Sequence, residues 1–455
     1  MRNLGLSLDD FKKKSDFLIL TLIALISLSF ALIWTYFSYL FVFAIILFSA
    51  TIILFFKKPD WFLYFFAFSR ISLDALKLVY FEDIKIGMHW GLSIDGIIGG
   101  IFIFCGVIYL FKEKEIRIWE LPGIKPFFIF LLICLTSLFY SLDKVLGLRY
   151  FIRYLNYFLI YILGVNILDT KEKNYKMIIA IFLSSFIPLS IGLFQFIALK
   201  ENYWHPYLNR IYATTYNPNQ YAYYLNIILL FAFTMYLYTD SWRNKIYLFL
   251  LTIPTLISLI LTYSRTGWIS VIFGLSTFFL LSKGKDRYKI FLLIFLLLII
   301  IGSTYLGITI IYRVTTLLSP GLETLGGRIN LWIINFKAFL KNPLIGYGIG
   351  SWNIFSQKET GTLFPPDNWY ICLMVETGFF GLITFLLIIF SLYRFFLKKY
   401  RVDINIKKKI LSLGVFALII TTLVSQIGFD LPLIDNVFVY FWFIIVINYN
   451  LLTDI

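Results

Sequence analysis

Charge is scarce in this chain: Asp, Glu, Lys and Arg make up 14% of 455 residues, against about a quarter in ordinary soluble domains. Metal-binding chemistry is equally thin. His89 and His205 are the only histidines, and neither lies in an HExxH pair. Cys105, Cys134 and Cys372 all sit in apolar runs, with no disulfide-framework or metal-ligand spacing, so they read as small buried hydrophobes. There is no Gly-rich phosphate loop, no serine elbow and no DxD pair in a loop. Nucleotide hydrolysis and zinc chemistry are therefore unsupported, and no metal site or cofactor is expected.

What the chain has instead is apolar length. Hydrophobic residues are 60% of it and aromatics 20%, with 50 Phe and 31 Tyr. Many apolar runs reach 17 residues or more, enough to cross about 30 Å of hydrocarbon as a helix. Backbone groups in lipid must be satisfied within the span, so the expected fold is all-α, a polytopic bundle of 12–14 transmembrane helices. Fourteen spans read as 17–34, 37–56, 61–80, 92–111, 126–141, 146–168, 175–198, 219–238, 246–263, 267–282, 289–310, 368–395, 408–427 and 436–453. The first follows "KKKSD" with no small-residue cleavage site and is expected to be a retained helix. Residues 1–455 read as one integral membrane domain, without a separate soluble domain or a convincing repeat.

The net charge of +15 would point to nucleic acid in a soluble protein. Here most basic residues lie in short loops such as "DTKEKNYK", "DSWRNK", "SKGKDRYK" and "KKYRVDINIKKK", which is a topology signal, and no nucleic-acid partner is expected. Positive-inside places these loops and both termini in the cytoplasm. The long segment 311–367 then faces outward, with one or two surface helices expected in "INLWIINFKAFL" and the Gly-rich run after it.

Charges near lipid are functional candidates. Arg265 lies in "LTYSRTGWIS", in a small polar turn between two spans; a snorkelling helix-end Arg is the plain alternative. Arg328 follows two glycines where a helix begins, a natural anion site, or else a solvated loop residue. Arg149 and Arg153 share one helix face near the outer surface, and Arg210 precedes "IYATTYNPNQYAYY" in another outer loop. Arginines gathered on the outer side run against the positive-inside trend. Because Arg holds phosphate bidentately and stays charged, they suggest a lipid-linked phosphate or pyrophosphate ligand. Asp367, in "PPDNWYI", reads either as the N-cap of the next helix or as a working carboxylate, with Asn368 beside it. Glu376 lies nine residues on, pointing inward from that helix, and needs a partner.

The ordered blocks "NPNQYA", "YSRTGWIS", "GGRINLWIINFKAFLKNPLIGYGIGSWNIF" and "PDNWYICLMVETGFFGLITFLL", over roughly residues 210 to 390, resemble the O-antigen ligase and polymerase superfamily. The resemblance implies a metal-independent membrane glycosyltransferase of the C-type architecture in the bacterial cytoplasmic membrane. Its site would face the periplasm or outside, and donor and acceptor would be undecaprenyl-diphosphate-linked glycans. It further implies that Arg265 and Arg328 bind the donor diphosphate, with Arg210 a weaker candidate. Asn368, Arg149, Arg153 and Glu376 are secondary substrate-binding candidates. Ligases of the superfamily carry His where this chain has Asp367, followed by Asn as here at Asn368. The Asp favours a polysaccharide polymerase, aided by a chain-length regulator, over a ligase. In either case Asp367 is the expected general base of an inverting transfer. Trp352, Trp369 and Tyr370 are expected to pack against sugars. A flippase for lipid-linked saccharide, or a scaffold for an envelope synthesis complex, are readings of another class. The absence of a repeat and of midplane polar residues weighs against the flippase.

Overall fold

A run of apolar side chains satisfies its backbone most simply as a helix, and among the described residues every regular element is helical. The computed structural model describes residues 49–72, 94–113, 116–198, 210–215, 217–282, 325–360, 366–430 and 435–453. Expected spans 17–34 and 289–310, most of 37–56, and both histidines lie outside them. Residues fall into two units, 1–62 and 63–455. In the first, residues 49–57 are helical, and the Phe55 ring stands edge-on to those of Phe56 and Phe62.

The described helices are α1 (Pro59–Ser72), α2 (Ile94–Lys112), α3 (Ile124–Ser137), α4 (Lys144–Ile167), α5 (Lys171–Ser184), α6 (Phe186–Ala198), α7 (Pro218–Tyr238), α8 (Trp242–Leu261), α9 (Arg265–Leu281), α10 (Leu325–Lys341), α11 (Trp352–Thr360), α12 (Trp369–Val402), α13 (Ile406–Ser425) and α14 (Asp435–Thr453). Counting α5 and α6 as one run, seven among the described residues are long and apolar enough to cross a membrane. This is a polytopic, multi-pass helical membrane protein.

The run expected as one span over 175–198 is broken at Ser185. Pro188 has no N–H to give the Ser184 carbonyl, which accepts from Ser72 Oγ at 3.3 Å instead. The Ser184 and Ser185 hydroxyls turn back onto Ile181 O and Phe182 O.

Helices α7 and α14 are apolar on every side and buried along nearly their whole length, as such helices must be. Asn226 of α7 donates to Gly267 O and Ser270 Oγ of α9, both at 2.9 Å. Gly267 makes that approach possible, since a Cβ there would lie 2.7 Å from Ala222 Cβ. At one end of the larger unit, Lys407 pairs with Asp240, Lys408 donates to Leu452 O, and Tyr400 donates to Leu281 O. The start of α13 thus meets the ends of α7, α9, α12 and α14 there, among the basic loops. The candidate site forms at the opposite helix ends.

The Gly-rich run "GYGIG" docks where α12 is interrupted. Gly378 has φ 64° inside that helix, which frees the Val375 and Glu376 carbonyls to accept from Tyr347 N and Gly348 N at 2.9 and 2.8 Å. On its other side Ile349 N donates to Ser137 Oγ, and Ser141 Oγ donates to Ile349 O. Gly348 has φ 90°, and a Cβ on it would overlap Ser141 Cα. Gly348→Ala combines left-handed strain with backbone overlap and is expected to cost about 2 kcal/mol or more. Gly100, with nothing within 4 Å of its would-be Cβ, is the control. Thermal unfolding in detergent should show a lowered midpoint for Gly348→Ala and an unchanged or raised one for Gly100→Ala.

Candidate active site

Four turns meet at the end of the larger unit away from the basic loops. The first joins α8 to α9 in three residues. Tyr263 has φ 50°, Ser264 caps α9 by accepting from Gly267 N, and Arg265 opens the helix, partly exposed. Arg210 braces this turn. It is buried, with Nε donating to Thr262 O at 2.9 Å and Nη2 to Asn219 Oδ1 at 3.1 Å. Asn217, in turn, caps α7.

The second turn leads into α12, and here the two readings of "PPDNW" separate. Asn368 is extended (φ −149°) and its Oδ1 accepts from Ile371 N, so Asn368 is the cap. Asp367 stands one residue earlier at φ 48°, released from capping. Its Oδ2 lies 2.9 Å from Arg328 Nη2, an ion pair in which both side chains are largely buried. Trp332 of α10 fixes the approach by donating to Pro366 O at 2.6 Å.

Arg328 sits in the first turn of α10 and also donates through Nη1 to Gly428 O at 3.3 Å, in the third turn, after α13. Its Nε is buried and has no acceptor among the described residues. The third turn closes against the first: a Cβ on Gly428 would overlap Thr266 Cγ2. Tyr223 of α7 fills the junction, with its hydroxyl 2.8 Å from Thr266 Oγ1 and its ring against Phe429. Tyr223 lies within electrostatic reach of Arg328, Asp367 and Asp430 together. Arg265 is thus one residue from a contact that joins α7, α9 and the turn bearing Asp430.

Asp430 is the functional candidate that sequence reasoning missed. It is buried at the end of the third turn. Burial pushes its carboxyl up to about 7, helped by the negative charge of Asp367; its own backbone N–H, Arg153 and Arg328 pull the other way. The only available signal was an acidic residue in the short loop "GFDLP". Arg153 is half-buried over the Tyr150 ring and acts on Asp430, whereas Arg149, one turn nearer the start of α4, is exposed.

Glu376 finds its partner in the fourth turn: Oε1 accepts from Gly350 N at 2.7 Å, which anchors the Gly-rich loop. Trp369, expected against sugars, is a fully buried core ring beside Tyr154 and Phe385. Tyr370 donates to Leu423 O, and Trp352 is buried. The structure therefore brings Arg328, Asp367 and Asp430 together, with Arg153 and the Arg265 turn alongside, and ties Asn368 and Glu376 to backbone.

The family comparison covers three of these four turns, leaving out the one that bears Asp430. Residues 247–386 match the O-antigen ligase family, a window holding Arg265, Arg328 and Asp367. A ComP-specific O-oligosaccharyltransferase from Acinetobacter baylyi is 30% identical over 251 residues, covering 51% of this chain and 45% of the relative. The match thus spans a little under half of that relative's length.

Proposed function

We propose that this chain is a membrane glycosyltransferase of the ligase type, moving a glycan from a polyprenyl-diphosphate donor to a hydroxyl acceptor. The observation that carries the reading is the buried Arg328–Asp367 ion pair beside Asp430, at the turn next to Arg265. The acceptor oxygen attacks the anomeric carbon while the bond to the diphosphate oxygen breaks, and the diphosphate leaves with the electron pair. Arginines fixed in a partly dry site stabilise that developing charge. Arg328, with an unused Nε–H, and Arg265 are the clamp, and Arg210 holds the Arg265 turn in place. The hydroxyl proton passes to Asp367.

The ion pair gives this step a built-in order. With the site empty, Arg328 stabilises the Asp367 anion and makes it a weak base. A bound diphosphate competes for Arg328, which returns basicity to Asp367 when the donor is in place. The Asp367 charge raises the Asp430 carboxyl, and Arg328 acts on both carboxylates. Below about pH 7 Asp430 is neutral and Arg328 serves Asp367 alone; above it, a second anion shares the arginine. The expected kcat/KM therefore rises through about pH 7 and then levels, and Asp430→Asn removes that limb. An unchanged limb in Asp430→Asn would exclude Asp430 from the reaction.

The matching family and the relative are both named for transfer rather than chain growth, so a ligase-type reaction takes precedence over the polymerase expected from Asp367. The relative's name makes an O-linked acceptor one candidate. Polymerisation by the same chemistry remains the second reading, favoured by the Asp in place of His. Incubating the purified protein with a lipid-diphosphate oligosaccharide tests both. A single-step product supports ligation and a ladder supports polymerisation. Movement of intact donor between leaflets, without a new glycosidic bond, overturns the proposal. The cytoplasmic membrane, with the site facing outward, is the proposed setting.

A further inference from the structure

Gln195 is a buried amide in α6, in the apolar sequence "FIPLSIGLFQFIA", where a Leu would cost nothing in desolvation. Its carboxamide is engaged entirely by the loop that carries Arg210. Oε1 accepts from Tyr212 N at 3.1 Å and from Ala213 N at 2.8 Å, and Nε2 donates to Ala213 O at 3.3 Å. Ala213 is buried at φ 49°, a left-handed conformation that Ala avoids, so the surroundings must hold it there. Ile211 N, next to Arg210, donates to Leu261 O, and Arg210 itself grips Thr262 O. Beyond Thr262 come Tyr263, also left-handed, and then Arg265. An unbroken line of hydrogen bonds and chain runs from Gln195 to Arg265.

We infer that Gln195 is a positioning residue for the diphosphate clamp, fixing the 210–215 loop so that Arg210 can hold the turn presenting Arg265. This rests on the proposed diphosphate-binding role of that turn. Two strained non-glycine residues in the loop and the turn it braces are what a preorganised anion site would need. Gln195 Oε1 accepts two of the hydrogen bonds that hold the loop, and Nε2 donates a third.

The test uses the full chain in detergent and farnesyl diphosphate as the probe, with affinity read by titration calorimetry and folding by thermal unfolding. Gln195→Met keeps the length but removes acceptor and donor, and with them three buried hydrogen bonds, and should weaken binding about tenfold or more. Gln195→Glu keeps one acceptor oxygen and, as the protonated acid that burial favours, one donor, and should stay within about threefold of the parent. Arg265→Ala tests the underlying reading. If it and Gln195→Met both weaken binding while Gln195→Glu does not, the inference holds. Loss in Arg265→Ala with parental affinity in Gln195→Met, whatever its melting temperature, overturns the inference and leaves the clamp standing. Parental affinity in Arg265→Ala overturns the clamp and the inference with it. Should Gln195→Met not fold, a tenfold loss in Gln195→Glu is the refuting result.

Discussion

Asp367→Asn is expected to abolish glycan transfer, by about a thousandfold, while leaving the protein folded. Three features separate those two outcomes. The cap of α12 belongs to Asn368, so removing the Asp367 carboxylate does not undo the helix start. The backbone at 367 has φ 48°, a region Asn tolerates as readily as Asp. And Asn keeps an oxygen that can accept from Arg328, so the arginine is not left wholly without a partner. What Asn cannot do is take a proton. Asp367→Ala should be equally inactive but less stable, by about 1–2 kcal/mol, because Ala is strained at positive φ. Initial rates of transfer from a lipid-diphosphate oligosaccharide, with melting temperatures alongside, make the check. A parental rate in Asp367→Asn would remove Asp367 from proton transfer and leave Asp430 as the remaining carboxylate.

The same residues show where the sequence was informative and where it was not. Arg265, Arg328 and Asp367 stood out because a charge beside long apolar runs is expensive and therefore rare, and Arg328 and Asp367 do meet. The division of labour between Asp367 and Asn368 could not be read, since both are good caps. What decides is which of them adopts the extended backbone, and neighbouring elements set that, among them Trp332 on Pro366 O. Asp430 was invisible for a simpler reason. A lone Asp in a short loop looks solvated, and only the packing of Phe429 on Tyr223 shows that this loop turns inward. Glu376 was seen to need a partner, but the partner is a backbone N–H 26 residues away, within a glycine loop whose path depends on positive φ. Helical periodicity placed Arg149 and Arg153 on one face correctly. It could not say that one turn of rise moves Arg149 to the exposed end while Arg153 stays near Asp430. Gly378 breaks α12 at a positive φ that apolar periodicity does not reveal.

Arg328→Ala should reduce kcat/KM by about a hundredfold or more, and its pattern should differ from that of Arg265→Ala. Arg265→Ala removes a clamp residue at the neighbouring turn and leaves the Arg328–Asp367 pair in place, so its loss should appear mainly as weaker donor binding. Arg328→Ala removes clamp and ion pair together and leaves Asp367 buried beside Asp430 without the guanidinium that acts on both. Two carboxylates so placed cannot both ionise cheaply, so the rising limb near pH 7 should move upward in Arg328→Ala and stay put in Arg265→Ala. Arg328→Lys should recover little, because one ammonium cannot bridge Asp367 and Gly428 O as the guanidinium fork does. A double-mutant cycle makes the coupling explicit. If diphosphate binding releases Asp367 from Arg328, the Asp367→Asn and Arg328→Ala losses are strongly non-additive, since either change alone disables the exchange. Additive losses, with a pH limb unmoved by Arg328→Ala, would mean that the two residues act independently and that the ion pair is only a structural brace.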